Sequence, residues 1–267
     1  MIRSTELTAA LALGWSLLLT SVLLSMSLVV GLLFGSSNWA MAVAGPATLL
    51  VMLPAARLIA QLYGDQNRHK AFALGSVSPL ELLIGASLGL MLHVPSGYLG
   101  WLVEKRFPTP PAQLQAQLHA LTPSSPAMAI MLLLSVAAIV PFAEELFFRG
   151  ALFGALARSN PGFVATLTTS IAFALAHLEP RNWAPLLLVA LVLGELRRLG
   201  GSIWSGVALH AAFNATTLLS VFVNRPKEVK MQDVSWQQGA VGFALVVTGV
   251  WLFGRVSRRR LVEAGSR

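Results

Sequence analysis

The chain contains no cysteine among its 267 residues, so disulfides, thiolate nucleophiles, thiolate metal sites and S-palmitoylation are all excluded. Charge is also scarce. Asp, Glu, Lys and Arg together make up 11% of the residues, against 55% hydrophobic. With a mean hydropathy of +0.70, this is the composition of an integral membrane protein rather than a soluble domain. The net charge of +8 comes from short basic groups between apolar runs, without a basic face interleaved with exposed aromatics. That pattern argues against nucleic acid and for orientation in an anionic bilayer. No second domain, internal repeat or low-complexity tract stands out.

A membrane-spanning helix needs about 20 predominantly apolar residues. Eight candidates meet that description, near 7–34, 40–63, 79–103, 126–150, 161–178, 183–199, 203–223 and 238–255. The expected fold is therefore all-α, a polytopic bundle of about eight spans forming a single integral membrane domain over 1–267. The first run is too long for a signal-peptide core and lacks a cleavage-like site, so it reads as a retained helix. Pro46, Pro54 and Pro95 with Gly97 predict kinks inside the second and third helices. Between the third and fourth, Leu114, Leu118 and Leu121 recur at helical spacing, which predicts a short amphipathic surface helix.

Eight spans place both termini on one side. That side would hold Arg3, Arg68, Lys70, Arg149, Arg158, Arg197, Arg198, Arg255, Arg258, Arg259, Arg260 and Arg267. The other would hold Lys105, Arg106, Arg181, Arg225, Lys227 and Lys230, and Arg57 lies within a span. Twelve against six argues for cytoplasmic termini, largely on the strength of the C-terminal arginines.

Against this apolar background three polar clusters stand out: Glu144-Glu145-Leu-Phe-Phe-Arg149, Phe173-Ala-Leu-Ala-His177 and His210-Ala-Ala-Phe-Asn214. Ionisable groups inside hydrocarbon-facing segments are costly unless they meet one another or water, and they mark function by default. Glu145 and Arg149 are four apart, share a helix face and can pair, while Glu144 is rotated by about 100° and free to face a cavity. If its helix runs on to Ala157, Glu144 lies about 20 Å from the end, near mid-membrane. His177 is expected about 25 Å deep, and His210 and Asn214, which share a face, about 12 and 18 Å deep.

A carboxylate, two imidazoles and an amide suit hydrolysis by activated water. Glu144 would take the proton, His177 would hold the water or protonate the leaving amine, and His210 with Asn214 would donate to the oxyanion. The same groups offer a second arrangement in which Glu144, His177 and His210 ligate Zn²⁺. The residues leave both open, although the absence of HExxH and the scatter of ligands over three helices favour the metal-independent form, with no cofactor.

The ordered set EExxxR, FxxxH and HxxxN resembles the CPBP or Abi family of intramembrane proteases, which includes the type II CaaX prenyl endopeptidases. The resemblance covers roughly 125–220, including Phe148-Arg149-Gly150 and the Gly200-Gly201-Ser202-Ile203-Trp204 entry to the helix carrying His210. It implies a catalytic core over 125–220, with Glu144 activating water, Glu145 and Arg149 as its structural partners, His177 as a second catalytic residue and His210 with Asn214 at the oxyanion site. The implied substrate is a membrane-associated protein or peptide, lipidated or bearing a C-terminal sorting tail, and the implied setting a bacterial inner membrane.

Two other readings compete. A rhomboid-type serine protease needs a glycine-flanked serine, and Ile203-Trp204-Ser205-Gly206 lacks the first glycine. A transporter or immunity-type binding protein would use the same carboxylates and histidines as a relay, without peptide cleavage. Of the remaining polar residues, His93 reads as a satisfied core histidine, and Glu195 with Arg198 as an ion pair near a helix end. Thr168, Thr169 and Ser170 read as helix-packing hydroxyls.

Overall fold

The computed structural model describes residues 6–35, 37–65, 67–224 and 233–265. These residues form an all-α polytopic bundle, and no strand occurs among them. The main helices are α1 (Ala9–Phe34), α2 (Asn38–Tyr63), α3 (Pro79–Arg106), α4 (Pro111–Leu121), α5 (Pro126–Leu156), α6 (Gly162–Ala176), α7 (Trp183–Gly200), α8 (Trp204–Asn224) and α9 (Trp236–Gly265). Six of them, α1, α2, α3, α5, α8 and α9, are long and apolar enough to cross a membrane. The expected fifth and sixth spans are both present as helices but differ in kind. α6 is apolar yet has only 15 residues, and α7 carries Glu195, Arg197 and Arg198 in its last turns.

Side-chain contacts at the helix ends fix how the chain is threaded. At one face Arg158 Nη1 donates to Gly64 O at 2.7 Å, and Arg260 donates to Ser76 O and Gly200 O, each at 2.6 Å. At the opposite face Asn38 Nδ2 donates to Ala120 O and Thr122 O, Gln113 Nε2 to Glu179 Oε2, and Trp101 Nε1 to Asp233 Oδ1. The described chain therefore starts and finishes at the first, arginine-rich face. Arg3, Arg225, Lys227, Lys230 and Arg267, used in the charge count, lie outside the described residues. Arg149 was counted there as a loop charge, and this is corrected: it is fully buried inside α5.

The core is built around α5. Phe147, Phe148, Leu152, Phe173 and Ile59 are buried together, whereas Leu17, Leu24, Leu28 and Leu32 of α1 face outward, as expected of side chains in contact with lipid. α4 forms where amphipathic spacing predicts it, with Leu114, Leu118 and Leu121 half-buried. α3 is interrupted at Leu92, three residues before Pro95, whose ring opposes the carbonyl of Met91.

Small residues set the closest approaches. A Cβ on Gly85 would lie 2.4 Å from Ser205 O, and one on Gly89 would lie 2.3 Å from Leu209 O. This Gly-x-x-x-Gly pair lets the α3 backbone rest directly on α8 one turn before His210. The turn into α8 is made by Gly201, which caps α7 with φ 74°, and by Ser202 Oγ, which donates to Gly75 O at 2.7 Å. α8 is thereby held in depth and in rotation.

Candidate functional site

α5 is not a uniform α-helix. Residues Leu133–Ile139 and Leu146–Leu152 take π-helical bonding on either side of the α-helical stretch Val140–Glu145. Pro141 supplies a local reason for the first: it donates no hydrogen bond and its ring opposes the Ala137 carbonyl, so a wider turn relieves the clash. Wide turns also free carbonyls, and side chains from other helices take them up. Asn214 Nδ2 donates to Val136 O at 2.9 Å, and Arg197 Nε donates to Arg149 O at 2.9 Å. In the second π segment Gly150 lies against Phe72, where a Cβ would come within 3.0 Å of the carbonyl oxygen. Such π insertions are frequent at functional sites.

Between the two π segments stand the glutamates. Arg149 Nη1 lies 3.2 Å from Glu145 Oε1, its Nη2 donates to Ala190 O at 3.0 Å, and both charged side chains are fully buried. A buried pair of this kind is tolerated only with supporting hydrogen bonds, and the Ala190 carbonyl provides one. Glu145 Oε2 faces Gly206, where even a methyl group would come within 2.9 Å. Gly206 therefore makes room for the carboxylate, a different part from the one the serine-protease reading gave to Ser205-Gly206.

His210 lies between the two carboxylates. Its Nδ1 is 3.4 Å from Glu145 Oε1 and its Nε2 is 3.6 Å from Glu144 Oε2. Glu144 retains 12% side-chain exposure while Glu145 has none, so the unpaired carboxylate is the one that keeps access. With α5 ending at Leu156, Glu144 lies about 18 Å from that end of the helix.

His177 caps α6 and is exposed at the rim rather than enclosed with Glu144 and His210. Its Nδ1 is 2.8 Å from Phe173 O. A carbonyl only accepts, so Nδ1 carries the proton of the neutral ring and Nε2 keeps its lone pair. Phe173 connects the two histidines: its ring centroid is 4.7 Å from that of His177 and 5.7 Å from that of His210, and the Arg149 guanidinium lies 4.7 Å over it. Sequence reasoning used Phe173 only as a motif letter. The four-residue spacing to His177 was the available signal that they share a face.

The structure thus brings Glu144, Glu145, Arg149 and His210 together, joins His177 to them through Phe173, and turns Asn214 toward Val136. Among the described residues no three His, Asp or Glu are grouped so as to hold a metal ion, and Glu144, His177 and His210 do not form such a set. One imidazole is hydrogen-bonded to its own helix and the Phe173 ring lies between the two. The ligand arrangement considered for Zn²⁺ is not assembled.

Outside the site, His93 Nε2 lies 3.1 Å from Phe213 O, and its ring stacks on that of Phe213. Arg198 Nε donates to Glu195 Oε2 at 2.8 Å, and Thr169 Oγ1 to Ala165 O at 2.8 Å, the bonding expected of helix-end and packing residues.

Residues 126–216 match the family model described as type II CAAX prenyl endopeptidase Rce1-like. This part of the chain is an Rce1-like domain. It spans α5 to the middle of α8 and contains all of Glu144, Glu145, Arg149, His177, His210 and Asn214. The comparison with curated proteins and that with solved structures found no match.

Proposed function

We propose that the protein is an intramembrane endopeptidase that hydrolyses a peptide bond of a membrane-associated protein or peptide by glutamate-activated water. The observation that carries this reading is the pairing of a partly accessible Glu144 with His210, whose other nitrogen faces the buried Glu145–Arg149 pair.

In the proposed reaction Glu144 takes a proton from water and the resulting hydroxide adds to the scissile carbonyl carbon. The tetrahedral oxyanion is met by N–H groups of His210 and by the second amide hydrogen of Asn214, whose first is given to Val136 O. When the C–N bond breaks, the proton held by Glu144 goes to the leaving amine, directly or through His177 Nε2. Glu145 and Arg149 act by holding the His210 ring. The catalytic core is assigned to 125–220, within one integral membrane domain.

The test is mass spectrometry of membrane-protein termini in cells with the protein, without it, and with Glu144→Gln. A new terminus that needs the protein, and falls by roughly 10² or more in the variant, supports the reading. Normal turnover by a folded Glu144→Gln protein overturns it. We place both termini in the cytoplasm of a bacterial inner membrane. A C-terminal reporter active only outside the cytoplasm should then be silent.

A further inference from the structure

The last helix shows two different faces. Phe253 and Ser257 are fully buried, Ser257 Oγ donates to Glu81 Oε1 at 2.6 Å, and Arg260 reaches Ser76 O and Gly200 O. That face packs α9 onto α3 and α7. Trp251, Arg255, Arg258, Arg259 and Val262 follow the spacing i, i+4, i+7, i+8, i+11 and form a second stripe, which is exposed. Between this stripe and α7 runs a groove of about 850 Å³.

The groove is apolar below and cationic at its mouth. Val247, Val250, Trp251 and Leu199 line the part within the span, and Arg255, Arg258 and Arg259 stand at the arginine-rich face. Val247 to Gly254 corresponds to about 10 Å of wall along the helix. The Arg255 guanidinium lies 4.6 Å over the Trp251 ring, and none of the three arginines forms an ion pair among the described residues. Two carboxylates also line the groove. Glu195 is already the acceptor of Arg198, and Glu263 has an interaction of its own.

Three guanidinium groups above a strip of apolar wall match one kind of molecule, an amphiphile with an anionic head and a hydrocarbon chain. A soluble anion would meet the arginines and leave the wall uncovered, and a neutral lipid would do the reverse. We infer that the α7–α9 groove binds one anionic phospholipid, its phosphodiester held by Arg255, Arg258 and Arg259 and one acyl chain lying below Trp251. Arginine suits this task because its planar fork can give two parallel hydrogen bonds to phosphate oxygens. Basic sites between helices at a membrane face recognise anionic headgroups on the same principle. The inference does not depend on the proposed catalysis.

Native mass spectrometry of the full-length protein, loaded with equal amounts of phosphatidylglycerol and phosphatidylcholine, tests it. The protein should retain one phosphatidylglycerol in preference to phosphatidylcholine by at least about tenfold. The triple variant Arg255→Gln, Arg258→Gln, Arg259→Gln, which keeps Arg260 on its carbonyl partners, should lose the preference. Val247→Trp fills the apolar floor without changing charge and should also lower retention, so it decides the matter if the triple variant does not fold. Equal retention of the two lipids, or an unchanged preference in Val247→Trp or in the folded triple variant, overturns the inference. Displacement of phosphatidylglycerol by millimolar inorganic phosphate would overturn it too, by showing a site for a free anion.

Discussion

His210 Nδ1 and Arg149 Nη1 converge on one oxygen, Glu145 Oε1, at 3.4 and 3.2 Å. A single carboxylate oxygen therefore couples the ring next to Glu144 to a guanidinium with no solvent exposure. The coupling separates a residue that would react from residues that keep it in place.

Arg149→Ala should act on folding rather than on chemistry alone. It strands Glu145 as an unpaired buried charge, at a cost of about 3–5 kcal/mol. Unfolding midpoints in detergent should drop accordingly. Arg149→Lys should recover only part of the loss, because one ammonium cannot serve both Glu145 and Ala190 O in the same geometry. Wild-type stability in the alanine variant would refute the arrangement.

Gly206→Ala should impair turnover more than folding. The added methyl would come within 2.9 Å of Glu145 Oε2, so the carboxylate must move and His210 loses its reference point. A fall in rate of about tenfold is expected, with normal amounts of inserted protein. Wild-type rates would show that the Glu145–His210 contact does not matter to the reaction.

The surface clasp between α4 and the turn after α6 should open in acid. The Gln113 amide, with help from Arg181, holds the Glu179 carboxyl below its ordinary value. A carboxylate with a lowered folded-state pKa contributes stability above its unfolded value, near 4.5, and loses that contribution as pH falls through the folded value. Hydrogen exchange in residues 107–125 should therefore rise below about pH 4. Glu179→Gln should flatten that acid dependence.

Exhaustive chelation should leave cleavage by the purified protein unchanged, because Glu144, His177 and His210 do not form a metal-binding set. Stoichiometric zinc by elemental analysis, with activity lost on stripping and restored by Zn²⁺, would reverse that conclusion.

All eight helices of the predicted bundle were legible in hydropathy alone, as was α4 from Leu114, Leu118 and Leu121, because burial repeats at the helical period. The Glu145–Arg149 pair was equally legible, since four residues bring side chains to one face. The position of His210 between two carboxylates was not, because it depends on the rotation of α8, which Gly85 and Gly89 set from another helix. The Gly-x-x-x-Gly spacing was visible in the sequence, but its partner was not. The π segments escaped for a related reason. Pro141 hints at an irregular turn, yet what receives the freed carbonyls, Asn214 and Arg197, lies on α8 and α7. Arg149 was misjudged as a loop charge because helix ends cannot be located from hydropathy to within a turn.

The interrupted bonding of α5 makes its residue count a functional quantity. Each residue of a helix turns the chain by about 100°, and a π segment holds one more residue per turn than regular winding needs. Removing a single residue between Leu133 and Ile139 would let that stretch wind as an ordinary α-helix while swinging everything after it around the axis. Glu144 and Glu145 would then exchange their bearings relative to α8, with no catalytic side chain altered. For this helix length is as informative as identity, and an aligned chain that keeps every polar letter but lacks one residue there should be regarded as a different machine.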